Sequence, residues 1–326
     1  VQIQSDGSVY PCCGDTWATE SIGNIYYHNS KKMWNSNRAR IYRLSIVNKT
    51  YAFCNLNYCP LELKNFNPNE PREQYLVEGD APSEVCIAFD NTCNLQCKSC
   101  RKCYVSYNEN IERQKMYDGL IKKLFANTWL NKAQKLVMAS SGEVLYSNAY
   151  KKLLFSKKLK RDSVTIHTNG TLLNQKNIDK LCSQFKNLNF YISLDSISDD
   201  TYEDIRYGGR MKALKNNLKL LSKAKAEGKV NSVNILCVLQ KSNYKELAEM
   251  AKFVIDLKFD AFDISQICNW GTFTDEEFKE ISMYDEKGNP KPELLKVLED
   301  PIFESTEIKF IGNVISKMKN QDVLKN

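Results

Sequence analysis

Between residues 85 and 266, short apolar runs alternate with amphipathic stretches, and no other feature constrains the fold of this chain as strongly. The runs 85–90, 135–139, 163–168, 188–194, 232–239 and 260–266 have the length and composition of strands. The stretches 109–127, 145–159, 174–185, 210–227 and 243–257 have the length and periodicity of helices. In 210–227, Leu214, Leu218 and Leu221 recur at three- and four-residue spacing opposite lysines. Strands that alternate with helices build a parallel sheet with crossovers of one hand. The result is a doubly wound sheet or a partial barrel, and in both the ligands gather at the C-terminal ends of the strands.

The first of those strand ends carries cysteines. Val85 to Phe89 is followed by Cys93-Asn94-Leu95-Gln96-Cys97-Lys98-Ser99-Cys100, a C-x3-C-x2-C spacing on one loop. Three soft thiolates so placed suit three corners of a [4Fe–4S] cluster. The fourth iron is then open to a small molecule. The other reading of the same residues is a structural zinc knot with Cys103 as fourth ligand.

The spacing resembles the radical S-adenosylmethionine (SAM) superfamily, and later strand ends extend the resemblance. Ser141-Gly142-Glu143 looks like the G-G-E motif that holds the ammonium group of SAM, with Ser141 in place of the first glycine. Thr168-Asn169-Gly170 looks like the T-N-G strand end lining the SAM pocket. Ser193-Leu194-Asp195 resembles the S-x-D pair that contacts the ribose, and Tyr202 to Arg206 resembles Y-x-x-I-R, whose arginine meets the SAM carboxylate. Each stretch also has a plain reading. A helix-start Glu, an Asn-Gly turn and a helix-capping Asp would look the same. Their order and placement carry the resemblance, over roughly residues 84–270. Ser99 departs from it, standing where relatives usually carry an aromatic near the adenine.

The resemblance implies a partial (β/α)6 TIM-like barrel over 79–270, with SAM bound at the [4Fe–4S] cluster of Cys93, Cys97 and Cys100. One electron from such a cluster splits SAM to a 5′-deoxyadenosyl radical that abstracts a substrate hydrogen. It also implies an electron donor such as a flavodoxin or ferredoxin. His167 reads as packing, and Cys86, Cys182 and Cys237 read as core. Cys268, at the end of the sixth strand, is a candidate for a ligand, for a hydrogen donor, or for no role.

Residues 1–78 are rich in Asn, Tyr and turn residues, with little helical periodicity apart from a short helix near 37–46. Asp6-Gly7 signals a hairpin, which would deliver Cys12 and Cys13 to one end, where Cys54 and Cys59 can return to meet them. A segment so small and polar needs a staple, and zinc would serve as one. The pattern Gly7-x4-Cys12, Ile22-Gly23-Asn24 and Trp34-Asn35-Ser36 resembles the SPASM/twitch auxiliary-cluster module of radical SAM enzymes. That implies an auxiliary [4Fe–4S] cluster held by Cys12, Cys54 and Cys59, with Cys13 a further candidate. The module usually follows the barrel, whereas here it precedes it. Its usual cysteine before Gly7 is expected upstream of Val1. Residues 60–83, with four prolines, read as a linker, and 271–326 as an extension over the barrel mouth or an open edge.

Twelve cysteines in tight clusters beside only two histidines favour metal–thiolate chemistry in a reducing cytoplasm. The net charge of +7 is scattered over helices, and no basic patch with interleaved aromatics points to nucleic acid. No apolar run approaches the about 20 residues of a membrane span. The resemblance implies a radical SAM enzyme, and one acting on a peptide, since relatives with the auxiliary module often modify ribosomally made peptides. A sugar or other small molecule is the alternative substrate, and a non-catalytic zinc or Fe–S electron-transfer protein is the reading from another class.

Overall fold

The computed structural model describes residues 1–12, 17–55, 79, 81–138 and 141–315. Cys13, Cys59, Ser140 and most of the proline-bearing stretch 60–83 lie outside the described residues. Among those described, the strands in chain order are β1 (Gln2–Ile3), β2 (Ser8–Tyr10), β3 (Gly23–Asn24), β4 (Glu84–Ile87), β5 (Gln96–Cys97) and β6 (Lys135–Met138). They continue with β7 (Ser163–Thr168), β8 (Asn187–Ser193), β9 (Arg206–Tyr207), β10 (Ser232–Leu239), β11 (Ala261–Gln266) and β12 (Lys309–Ile311). The chain divides into two compact units, one of residues 1–92 and 106–166, the other of 93–105 and 167–326.

In the first unit β4 pairs in parallel with β6, and β6 with the part of β7 up to Ile166. The helix Ile111–Ala126 starts at Asn110, whose side chain accepts from Arg113 N. It buries Tyr117, Leu120, Ile121 and Leu124, the i, i+3, i+4, i+7 stripe of a core-facing helix. Phe89, just past β4, packs against Tyr117 and Tyr150 with ring centroids 5.5 and 4.9 Å apart. The expected hairpin is present, with β1 antiparallel to β2 and Gly7 at the turn with φ +81°. Asn24 fastens it by donating to Asp6 O at 2.8 Å. The hairpin is not isolated: β1 runs parallel to β4, Gln2 opposite Cys86, so the N-terminal strands continue the same sheet. Ser36 caps the helix Asn37–Val47 by accepting from Ala39 N.

In the second unit the strand order is β12-β11-β10-β8, all parallel. Burial alternates residue by residue along β8 and β10, as period-2 strands require when only one face is sealed. The helix Met211–Ala226 seals that face with Met211, Leu214, Leu218, Leu221 and Ala224. The C-terminal extension adds β12 to the sheet edge beside β11. Cys237 is core at 1% exposure, but Cys86 and Cys182 are half-buried, a correction to the apolar reading of their surroundings. Cys86 sits on the face of β4 that the alternation leaves open, and Cys182 on the helix Gln175–Gln184 beside buried Leu181.

Candidate active site

The cysteine loop belongs to the second unit, and its thiols meet N–H donors. Cys93 is buried; Leu95 N lies 3.4 Å and Asn169 Nδ2 3.8 Å from its Sγ. Arg206 Nη1 lies 3.8 Å from Cys97 Sγ, and Arg101 Nη2 lies 3.5 Å from Cys100 Sγ. Burial pushes the Cys97 thiol up to about 11, with Arg206 pulling the other way. A turn closes the loop, with Cys100 N and Arg101 N both donating to Cys97 O.

Arg206 reaches Cys97, 109 residues away in the chain, through a two-stranded ribbon. β5 pairs antiparallel with β9, setting Cys97 directly opposite Arg206. Lys98 N donates to Ile205 O at 3.1 Å on the same ribbon. Gly208 follows at φ +89°, where an added Cβ would sit 3.5 Å from Asn94 O. Asn169 ties the other flank of the loop. Its Nδ2 donates to Asn94 Oδ1 at 3.0 Å, and its Oδ1 accepts from Thr171 N and Thr171 Oγ1. Thr168 is buried and accepts from Gly170 N at 3.1 Å.

Ser193 is half-buried as the last residue of β8, whereas Asp195 is 1% exposed. Arg206 Nη2 lies 2.8 Å from Asp195 Oδ2, within ion-pair distance. Asp195 Oδ2 and Arg206 Nε are both buried without a hydrogen-bond partner. We take the contact as a charge pair without hydrogen-bond geometry. Burial works against the Arg206 charge, but Asp195 and Cys97 hold the guanidinium protonated. Asp195 Oδ1 accepts from Val238 N at 2.8 Å, and its carbonyl accepts from Asn243 Nδ2 at 2.7 Å. Asn243 is fully buried and escaped the sequence reading, where it shows only as the polar first residue of the helical stretch 243–257.

In the first unit, Gly142 adopts φ +68°, and an added Cβ would lie 2.4 Å from Asp90 O and 2.7 Å from Thr92 O. Glu143 is fully buried; its N donates to Thr92 O at 2.8 Å, and its Oε1 accepts from Leu145 N. Ser141 Oγ donates to Ala88 O at 3.2 Å. The turn rests on Asp90, a buried carboxylate that the sequence reading passed over. Asp90 accepts from Ser147 Oγ, Tyr117 OH and Thr92 N. A lone Asp after an apolar run carries no local signal of that network.

The auxiliary-module thiols also lie in the first unit: Cys12 is exposed, and Cys54 forms an antiparallel bridge with Ala18. Cys268 is half-buried just beyond β11, its thiol pushed up by burial and 3.8 Å from Gln266 O. His167 stacks on Tyr191 at 4.8 Å, in keeping with a packing role. Cys103 is exposed. Among the described residues no three His, Cys, Asp or Glu side chains are gathered to hold a single metal ion. No helix among them is long and apolar enough to cross a membrane.

A parallel α/β fold with three thiols on one loop, and a buried Arg–Asp pair beside Cys97, is the arrangement of an iron–sulfur protein. The model of the radical SAM superfamily matches residues 87–254, just over half of the 326, and the chain belongs to that superfamily. Its α/β fold is the superfamily's partial-barrel type, and its cofactors are a [4Fe–4S] cluster and SAM. A second model, described as an iron–sulfur cluster-binding domain (SPASM), matches residues 1–60. A curated relative from Pyrococcus furiosus, the tungsten-containing aldehyde ferredoxin oxidoreductase cofactor-modifying protein, is 26% identical over 185 residues. That match covers 56% of this chain and 50% of the relative. Among solved structures, Streptococcus suis SuiB bound to SAM has a TM-score of 0.48 at 17% identity, covering 86% of this chain and 62% of that one. SuiB bound to the precursor peptide SuiA has a TM-score of 0.48 at 16% identity, covering 83% and 61%. The chain thus spans from half to about three-fifths of the length of these proteins.

The residues fit the cluster. Three soft donors share one loop, each sulfur has an N–H donor nearby, and a buried cation beside Cys97 favours its thiolate. Arg206 Nε, buried and without a partner, is a donor free for an acceptor on a bound molecule.

Proposed function

We propose that this chain is a radical SAM enzyme that cleaves SAM reductively and abstracts a hydrogen from a peptide. A [4Fe–4S] cluster, when bound, supplies the electron for that cleavage. The observation that carries the reading is Arg206, which sits buried between the Cys97 sulfur and the Asp195 carboxylate with its Nε unengaged.

From that position Arg206 would offer its free Nε to the SAM carboxylate and fix its orientation against the cysteine loop. Asp195, held by Val238 N and Asn243, would keep the guanidinium aimed. Ser193, half-buried two residues before Asp195, would meet the ribose. Thr168 and Asn169 would wall the pocket while Asn169 pins the loop. The role of Glu143, Gly142 and Ser141 in holding the SAM ammonium group rests on the resemblance alone; an auxiliary cluster on Cys12, Cys54, Cys59 and Cys13 is supported also by the iron–sulfur domain match over residues 1–60, and a role for Cys268 only by its place at the end of the sixth strand.

The peptide substrate is supported by the match to the SPASM domain over residues 1–60, a module whose bearers often modify ribosomally made peptides. A small-molecule substrate is favoured by a different observation, the likeness to a protein named for modifying a cofactor. The test is anaerobic reconstitution with iron and sulfide, addition of SAM and dithionite, and mass spectrometry for 5′-deoxyadenosine. Formation that depends on Cys93, Cys97 and Cys100 is expected. Full iron loading with no 5′-deoxyadenosine would instead leave an electron carrier, and uptake of zinc alone a scaffold. Peptide and small-molecule pools added to the active enzyme then separate the two substrate classes.

A further inference from the structure

Asp90 closes the first apolar run of the first unit, and none of the stretches that carry the family resemblance includes it. Its side chain is fully buried. Oδ1 accepts from Thr92 N at 2.9 Å and from Tyr117 OH at 3.2 Å, and Oδ2 accepts from Ser147 Oγ at 2.5 Å. Ser147 Oγ in turn accepts from Tyr150 N at 3.0 Å. Three donors thus aim at the two oxygens and no acceptor does, which is the complement of an ionised carboxylate. None of the three donors is charged. Among the described residues no Lys, Arg or His lies within ion-pair distance of Asp90. Burial first, and the Asp90 charge second, push the Tyr117 hydroxyl up.

The same residue clamps the turn that carries Glu143. Asp90 O and Thr92 O crowd Gly142, and Thr92 O accepts from Glu143 N at 2.8 Å. Tyr150 OH accepts from Asp90 N at 3.0 Å and donates to Ser141 O at 3.1 Å. Asp90 is therefore bonded, through Tyr150 and Ser147, to both flanks of Gly142-Glu143. A buried anion without a cation is costly, and in a low-dielectric interior its field reaches a neighbouring ligand with little loss. The chain brings no cation to Asp90, but a bound molecule can. We infer that Asp90 is a positioning residue for a cationic amino group. Its hydrogen bonds fix the Gly142-Glu143 turn, and its charge lies behind that turn, so that the ammonium group of SAM binds more tightly than Glu143 alone would hold it. The inference rests on the proposed contact of Glu143 with that ammonium group.

The test is anaerobic equilibrium dialysis of the reconstituted full chain with two probes, SAM and 5′-deoxyadenosine. The second has the same base and ribose but no amino group. Asp90→Asn removes the charge and keeps the shape, whereas Ser147→Ala removes one hydrogen bond and keeps the charge. Asp90→Asn is expected to weaken SAM binding about tenfold and to leave 5′-deoxyadenosine within about twofold of wild type. Ser147→Ala should keep the wild-type ratio of the two affinities. The Asp90→Asn effect should persist in about 0.5 M salt, because a buried charge is little screened. If Asp90→Asn does not fold, Asp90→Ser removes the same charge and takes its place. Equal weakening of both probes, or none of SAM, would overturn the inference. So would an equal loss of SAM preference in Ser147→Ala, since hydrogen bonding rather than charge would then be at work. Less iron per chain in Asp90→Asn would also overturn it, by placing the effect on the cysteine loop. Wild type that binds SAM but forms no 5′-deoxyadenosine with dithionite would strike the enzyme reading and leave the affinity comparison to decide the role of Asp90.

Discussion

Arg206 and Asp195 lie 2.8 Å apart with side chains only 8% and 1% exposed, and the same guanidinium reaches the Cys97 sulfur. Two charges so deeply buried depend on each other. Removing one leaves the other desolvated and unpaired, a loss larger than the pair's own net contribution.

Asp195→Ala is therefore expected to lower the stability of the cluster-free chain by about 3–5 kcal/mol. Denaturant unfolding measures it. The double variant Asp195→Leu/Arg206→Met should recover much of the loss while binding no SAM. A cost for Asp195→Ala within about 0.5 kcal/mol of zero would mean the pair is hydrated in solution.

Gly142→Ala tests the turn beneath Glu143. At φ +68° an added methyl would press on Asp90 O and Thr92 O, both backbone atoms that cannot swing aside. Strain and displacement together should cost about 1–3 kcal/mol. Thermal unfolding of the variant reads this directly, and an unchanged midpoint would contradict the placement of the turn.

Asn169→Asp keeps the shape of the side chain but replaces its donor. A carboxylate oxygen would then face Asn94 Oδ1 and the Cys93 sulfur, both acceptors. The loop should loosen and the thiolate of Cys93 be disfavoured, so iron retained per chain after desalting should fall. Asn169→Ala, which removes the contact without adding charge, should lose less iron than Asn169→Asp.

Glu246 provides a pH-dependent test of the turn after Asp195. Burial alone would raise its pKa, but hydrogen bonds from Ser196, Ile197, Thr201 and Ser198 outweigh that and hold the carboxyl below its usual range. A folded-state pKa that is depressed stabilises the protein above the unfolded value and stops doing so as pH falls through the folded one. The advantage of wild type over Glu246→Gln should be about 1 kcal/mol at neutral pH. It should shrink as pH falls below about 4.3. A gap that stays constant to lower pH would show that the hydrogen bonds do not depend on the charge.

Much of this was legible in the chain alone. Period-2 burial along β8 and β10, and the leucine stripe of Met211–Ala226, are properties of residues next to one another, so strands, helices and their parallel order follow from local pattern. The three thiols share eight residues of sequence, and their chemistry follows from that spacing. Only the tertiary structure decided what stands beside them. β5 and β9 are two residues each, too short to show any period, yet they set Arg206 against Cys97. Asn243 behind Asp195, and Asp90 under Gly142, act through hydrogen bonds spanning 48 to 57 residues that leave no local signature. The joining of β1 to β4 is of the same kind. Backbone periodicity is written in neighbouring residues, whereas the partners of a buried charge are chosen by how distant segments fold together.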